Sequence, residues 1–238
     1  PIKSSAASDV YKRQVVELLS REGCLSSSEI SYYTGATMQT LRGLKKAGLV
    51  EFSEREVLRV SRYDDAPARE DIVLNGEQQA AFDGLCTLLG REGGSAALLH
   101  GVTASGKTQV YIRLIEEALA RGKTAMLLVP EIALTPQLLH KMTAHFGKAV
   151  AVLHSSLRVG ERYDEWRRIA RGEARVVVGT RSAVFAPLQN PGLLILDEEQ
   201  EHTYKSENAP RYHAREIALY RGAKERALVL FGSATPSI

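Results

Sequence analysis

From residue 74 onward, short runs of aliphatic residues alternate with longer stretches whose apolar positions recur every three or four residues. The runs read as strands buried on both faces and the stretches as amphipathic helices, the pattern of an α/β fold with a parallel sheet covered on each side. Strands are predicted at 96–100, 125–129, 150–153, 176–179, 193–196 and 228–231, and helices near 77–90, 107–121, 135–146 and 160–171. Crossovers in such a sheet are right-handed and ligands gather at the carboxyl edge of the strands. The loops leaving that edge are therefore where chemistry is expected.

Residues 9–62 carry a different pattern. Val15, Val16, Leu18 and Leu19 mark a first helix ending at Gly23. Ser26 with Glu29 forms a capping box for a second helix, closed by Gly35, and Thr37 opens a third that carries Met38, Leu41 and Leu44 and stops at Gly48. Leu49 to Phe52 and Glu56 to Val60 read as a hairpin around Ser53-Glu54-Arg55. Three helices and a hairpin make a small winged-helix (α+β) domain. Its third helix bears Arg42, Lys45 and Lys46, which either meet DNA phosphates, as third helices of such folds do, or solvate an exposed face. Residues 63–73, charged and poor in large apolar side chains, read as a linker, and 1–8 as a disordered tail or artefact outside the fold.

At 238 residues the chain is long enough for two modest domains with cores of their own. Its 31 Lys+Arg against 28 Asp+Glu give a formal net charge of +3, a mild basic excess that permits an anionic partner without requiring one. Cys24 and Cys86 lie far apart, so neither a disulfide framework nor a zinc site is expected in these residues, in keeping with a reducing cytoplasm. No signal-peptide pattern and no run of about 18 apolar residues occurs, so a cytoplasmic location without membrane partners is expected.

Gly101-Val102-Thr103-Ala104-Ser105-Gly106-Lys107-Thr108 follows the first predicted strand of the sheet and opens a helix. A loop of this kind closes its backbone N–H groups around phosphates. Gly101 and Gly106 allow that approach, Thr103 and Ser105 belong to the same cradle, Lys107 answers the β and γ charges, and Thr108 brings a hydroxyl to Mg²⁺. Asp197-Glu198-Glu199-Gln200 ends an aliphatic strand, where adjacent carboxylates are costly unless something positive sits among them. A magnesium–nucleotide supplies that charge, with Asp197 holding the metal through water and Glu198 polarising the attacking water. Lys107, Asp197 and Glu198 are the expected catalytic set, and ATP and Mg²⁺ the expected cofactors.

Together these motifs resemble those of superfamily 2 helicases and translocases, whose lobes are RecA-like P-loop sheets. The intervening segments narrow the resemblance to the primosomal replication-restart helicases. Val129-Pro130-Glu131-Ile132-Ala133-Leu134-Thr135-Pro136-Gln137, Gly179-Thr180-Arg181-Ser182-Ala183-Val184-Phe185-Ala186-Pro187, Asp197 to Gln200, and Gly232-Ser233-Ala234-Thr235-Pro236-Ser237 resemble that family's motifs Ia, Ib, II and III. Tyr204-Lys205 with Pro210-Arg211-Tyr212-His213-Ala214-Arg215 resembles its aromatic-rich loop. The resemblance covers the chain from about residue 12 and makes 74–238 the first lobe of a helicase motor.

It implies ATP-dependent 3′ to 5′ translocation in primosome assembly at stalled forks, with single-stranded and forked DNA, restart proteins and single-strand-binding proteins as partners. Gln78 would read adenine, unless it is only a helix-start glutamine. Thr180 and Arg181 would meet the DNA backbone. Tyr204, Tyr212 and His213 would stack on bases while Lys205, Arg211 and Arg215 supply charge, unless the loop simply packs. Gln200, Ser233 and Thr235 would couple nucleotide to DNA, the last two through their hydroxyls. Many family members have histidine where this chain has Gln200, and glutamine carries no charge, so pH-dependent coupling there is not expected.

The chain stops soon after motif III, so only the first motor lobe is expected. Weak ATP binding and poor hydrolysis follow, because the arginine that stabilises transition-state charge comes from the second lobe. The family's 3′-end-binding domain and cysteine-rich zinc region are likewise not expected in these residues. Two other readings stand beside this one. Another superfamily 2 translocase, of recombination or restriction type, is disfavoured by the Pro-Glu-Ile-Ala-Leu-Thr segment and the aromatic loop. The other is a winged-helix DNA-binding regulator switched by nucleotide.

Overall fold

A computed structural model describes residues 3–23, 25, 27–52, 69, 71–91, 93–102 and 104–236, and the chain divides into two compact units, Pro1–Val57 and Leu58–Ile238. The first unit holds helices α1 (Lys3–Glu22), α2 (Ser27–Thr34) and α3 (Met38–Lys46) around buried Val15, Ile30, Ala36, Leu41 and Leu44. Thr37 opens α3 by accepting a hydrogen bond from the Thr40 N–H at 3.4 Å. The buried face of that helix is narrower than predicted, because Met38 is exposed. Helix α1 reaches back through residues read as a tail. Once a helix is nucleated each further residue adds a hydrogen bond, and a stretch containing Ala6 and Ala7 extends it at little cost. Leu49 to Phe52 carries no strand. The predicted Ser26–Glu29 capping box, the remainder of the hairpin and most of the linker fall outside the described residues.

The second unit is a six-stranded parallel sheet built from β1 (Ser95–His100), β2 (Thr124–Leu128), β3 (Val150–Leu153), β4 (Val176–Gly179), β5 (Pro191–Leu196) and β6 (Leu228–Ser233), in spatial order β1-β6-β5-β2-β4-β3. Each strand lies within two residues of its predicted position. Helices α4 (Gly76–Leu89), α5 (Lys107–Ala120), α6 (Pro136–Phe146) and α7 (Val159–Ala170) match the predicted helices, and α8 (Ala214–Glu225) was not foreseen. Successive strand residues point to opposite faces, which explains the unbroken aliphatic runs. Leu127, Leu193 and Ile195 join the core beneath α4, α5 and α6, whereas Met126, Leu128, Leu194 and Leu196 join the opposite core with Ile169 of α7 and Ala214 and Ala218 of α8. Helix α8 presses so closely on β6 that a Cβ at Gly222 would overlap Val229. Among the described residues no helix is long and apolar enough to cross a membrane.

Candidate active site

The sheet order places β6 between β1 and β5, so three carboxyl ends lie side by side. The loop leaving β1 is pinned across this edge by the Gly101 N–H, which donates to the Ser233 carbonyl at 3.1 Å, while the Glu199 N–H beyond β5 donates to the Gly232 carbonyl at 3.0 Å. Residues distant in sequence are thereby gathered around one cavity of about 300 Å³, lined by Ser105 to Thr108, Lys141, Asp197 and Glu198.

Gly106 caps α5 in the left-handed region, with φ of 82° and no side-chain cap. The first N–H groups of the helix are thus left for an anion. Lys107 is buried, and its ammonium donates to the Gly101 carbonyl at 2.8 Å and lies 3.6 Å from Glu198 Oε1. Gln78 braces the loop from below. Its Oε1 accepts from the Asn75 N–H at 2.9 Å, completing the cap of α4, and its Nε2 donates to the Ser105 carbonyl at 2.8 Å. A Cβ on Gly106 would overlap that amide, so only glycine lets loop and glutamine meet. Thr103 lies outside the described residues.

Asp197 sits at the mouth of β5, where burial raises its carboxyl above the ordinary carboxylate range. The Tyr111 hydrogen bond opposes this, the Glu198 charge adds to it, and Lys107 opposes it. Tyr111, buried on α5, donates its hydroxyl to Asp197 Oδ1 at 2.8 Å. Among the described residues no group of three or more His, Cys, Asp or Glu is placed to hold a metal ion. The donors present are oxygens, Thr108 hydroxyl and the two carboxylates, which suits Mg²⁺, an ion that takes one or two carboxylates and fills its shell with water and substrate phosphates. The site fits a metal that arrives with its nucleotide.

Glu198 adopts φ of 47°, a left-handed conformation that a side chain makes unfavourable by about 1–2 kcal/mol. From it a hydrogen-bonded chain leads to the turn after β6. Gln200 Nε2 donates to Glu198 Oε2 at 2.8 Å, the Ser233 hydroxyl donates to Gln200 Oε1 at 2.6 Å, and the Thr235 N–H donates to Ser233 Oγ at 3.0 Å. Gln200 and Ser233 take part through their side chains, whereas Thr235 takes part through its backbone.

The residues read as DNA contacts separate into two groups. Tyr204 is corrected: it is 1% exposed, and its hydroxyl donates to the carbonyls of Asp197 at 2.7 Å and Leu128 at 3.0 Å, so its ring offers no face to a base. Arg181 turns inward, with Nη1 on the carbonyls of Thr203 at 3.1 Å and Lys205 at 2.6 Å. Arg215 pairs with buried Glu199 at 3.0 Å and lies over the Phe231 ring. Tyr212 packs edge-on against Phe185, and His213 caps α8 by accepting from the Arg215 N–H at 3.2 Å. Lys205 and Arg211 remain exposed. Buried Thr180 lines a second cavity of about 340 Å³ at the same sheet edge, with Glu131, His154, Ser155 and Ser156. In the first unit Arg42, Lys45 and Lys46 are exposed on α3, and Lys45 lies 5.1 Å from the centroid of the Phe52 ring.

Sequence reasoning missed Tyr111 and Lys141. Tyr111 stands one helical turn after Lys107, on the same face, and that spacing was the available signal. Lys141 lines the cavity from α6, distant in sequence from the loop and the carboxylates, and no local pattern marks it.

The DEAD/DEAH box helicase family matches residues 76–238. Over 216 residues the chain is 46% identical to the replication restart protein PriA of Bacillus subtilis (strain 168), covering 90% of this chain and 27% of that protein. The replication restart protein PriA of Treponema pallidum (strain Nichols) is 50% identical over 165 residues, covering 69% of this chain and 25% of that one. The chain thus spans about a quarter of the length of the curated relatives it matches. In fold it resembles RecG bound to a three-way DNA junction, with a TM-score of 0.54, 24% identity, and coverage of 70% of this chain and 22% of that one. The resemblance carried by the four motifs is borne out.

Proposed function

The chain belongs to the DEAD/DEAH box helicase family, and on that premise we propose that it carries the nucleotide-binding lobe of an ATP-driven 3′ to 5′ DNA helicase of replication restart. The observation that supports this best is the single cavity in which Lys107 and Thr108 from one strand end meet Asp197 and Glu198 from another. Lys107 and the N-terminal amides of α5 hold the β and γ phosphates, and Thr108 and Asp197 orient the ion. Bound magnesium supplies charge that offsets the phosphates. Glu198 holds and polarises the attacking water. Gln78 acts on nucleotide through the loop it braces.

Among the described residues that line the cavity there is no arginine, so of their cationic side chains only lysines face the charge developing on the transferred phosphoryl group, beside the α5 amides and the ion. An arginine there is worth roughly 10³–10⁵ in rate, and the 238-residue chain therefore turns ATP over slowly by itself. In the second unit, single-stranded and forked DNA is met near Thr180, Lys205 and Arg211; in the first unit, Arg42, Lys45 and Lys46 of α3 are offered to phosphates. The partners are restart and single-strand-binding proteins of the cytoplasm.

Fluorescent-nucleotide binding and steady-state turnover, with and without single-stranded and forked DNA, test this reading. Lys107→Ala is expected to lose nucleotide binding. Glu198→Gln is expected to keep it and to lower turnover by roughly 10²–10⁴. A folded wild-type chain that binds no nucleotide would refute the reading.

A further inference from the structure

We propose that Tyr111 is a positioning residue for the metal-bearing carboxylate, holding Asp197 in one rotamer so that it meets a magnesium–nucleotide already oriented. The proposal rests on the assignment of Asp197 to the metal made above.

Three elements converge on one contact. Tyr111 is 1% exposed on α5, and its hydroxyl donates to Asp197 Oδ1 at 2.8 Å. Opposite them, Gly232 of β6 leaves room for the pair, since a Cβ there would overlap Tyr111 Oη and stand 3.0 Å from Asp197 Oδ1. That strand cannot retreat, because the Gly232 carbonyl takes the Glu199 N–H at 3.0 Å and β6 is paired on both sides. The choice of acceptor is informative. A buried tyrosine needs a partner for its hydroxyl, and a backbone carbonyl suffices, as Tyr204 shows with Leu128 and Asp197. Tyr111 instead engages the side chain of the residue assigned to the metal.

Such a donor commits one carboxylate oxygen to the protein, and Asp197 would then hold the ion, were it bound, from a fixed rotamer. Because Lys107 lies one turn earlier on the same helix, the phosphate cation and the metal carboxylate are keyed to one rigid element. Groups that orient a metal ligand typically change metal affinity by 10–100-fold.

Fluorescent-nucleotide affinity measured across a Mg²⁺ titration, starting from EDTA, decides the matter for the 238-residue chain and for Tyr111→Phe. The expected result is equal affinity in EDTA and a half-effective Mg²⁺ concentration raised roughly tenfold in Tyr111→Phe. Gly232→Ala, which retains the hydroxyl but displaces it, is expected to shift the Mg²⁺ midpoint the same way. A wild-type Mg²⁺ dependence that Tyr111→Phe leaves unmoved overturns this proposal alone. No Mg²⁺ dependence in a wild-type chain that binds nucleotide, or no nucleotide binding at all, overturns the metal assignment and the proposal with it.

Discussion

Replacing Tyr204 by phenylalanine removes one oxygen and tests whether this residue belongs to the core or to a DNA-stacking surface. Its hydroxyl donates to the carbonyls of Asp197 at 2.7 Å and Leu128 at 3.0 Å. The Leu128 carbonyl keeps a donor in the variant, the Asp197 N–H at 2.9 Å, so the loss falls on the half-buried Asp197 carbonyl. Leaving such a group unsatisfied costs about 1–3 kcal/mol. For a unit of this size each kcal/mol moves the melting temperature by about 2–4 °C, so a fall of roughly 2–12 °C is expected in thermal unfolding followed by circular dichroism. Affinity for single-stranded DNA, read by fluorescence anisotropy, is expected to stay the same. Tyr204→Ala opens a cavity worth about 3–5 kcal/mol and is expected to destabilise further. The core assignment is refuted by a Tyr204→Phe variant that melts with the wild type, combined with a stable Tyr204→Ala variant whose DNA affinity drops by the roughly 1–3 kcal/mol of a lost stack.

Lys141 lines from α6 the cavity proposed to take nucleotide, so Lys141→Ala is expected to weaken ATP binding by about 1 kcal/mol, roughly fivefold, and to weaken adenosine binding not at all. Equal losses for both ligands in calorimetry would assign the effect to packing. Glu165 is 3% exposed on α7, and burial raises its carboxyl above the ordinary range against the pull of Arg168. The native state therefore holds this proton more tightly than the unfolded chain, and stability falls as pH rises from the ordinary carboxylate value through the raised one. Glu165→Gln keeps an acceptor for the Val152 N–H but carries no charge, so its melting temperature relative to wild type is expected to climb from pH 4 to pH 7. A difference that shrinks over that range contradicts the assignment.

Much of the sheet was legible because every central strand is buried on both faces and leaves an aliphatic run that nothing else in the chain imitates. That the glycine-rich loop and Asp197-Glu198 would meet at one strand edge was equally plain, since the chemistry proposed for them restricts residue types at fixed spacing. Helix α8 was not, because it packs with Ala214, Ala218 and Gly222, small residues that carry the helical period without the large side chains by which a period is noticed. The aromatic loop misled for a related reason. Tyrosine suits a base and a core equally well, and only the fold decides that Tyr204 faces inward and that Arg181 and Arg215 engage carbonyls and a carboxylate. Lys141 reaches its cavity across a turn whose path no local signal fixes.

The strand order also sets a timetable for synthesis. Among the described residues β1 has a single neighbour in the sheet, β6, which follows it by most of the unit's length. At typical elongation rates of 5–20 residues per second, β1 waits roughly 6–25 s for that partner to leave the ribosome. Until then β2, β3, β4 and β5 can assemble among themselves, while the loop at 101–106 has no Ser233 carbonyl to pin it and Leu98 lies on an unpaired edge. The loop leaving β1 thus gains its Ser233 pin only once β6 has emerged, and capture of nucleotide by a nascent chain is expected only after β1 and β6 have paired.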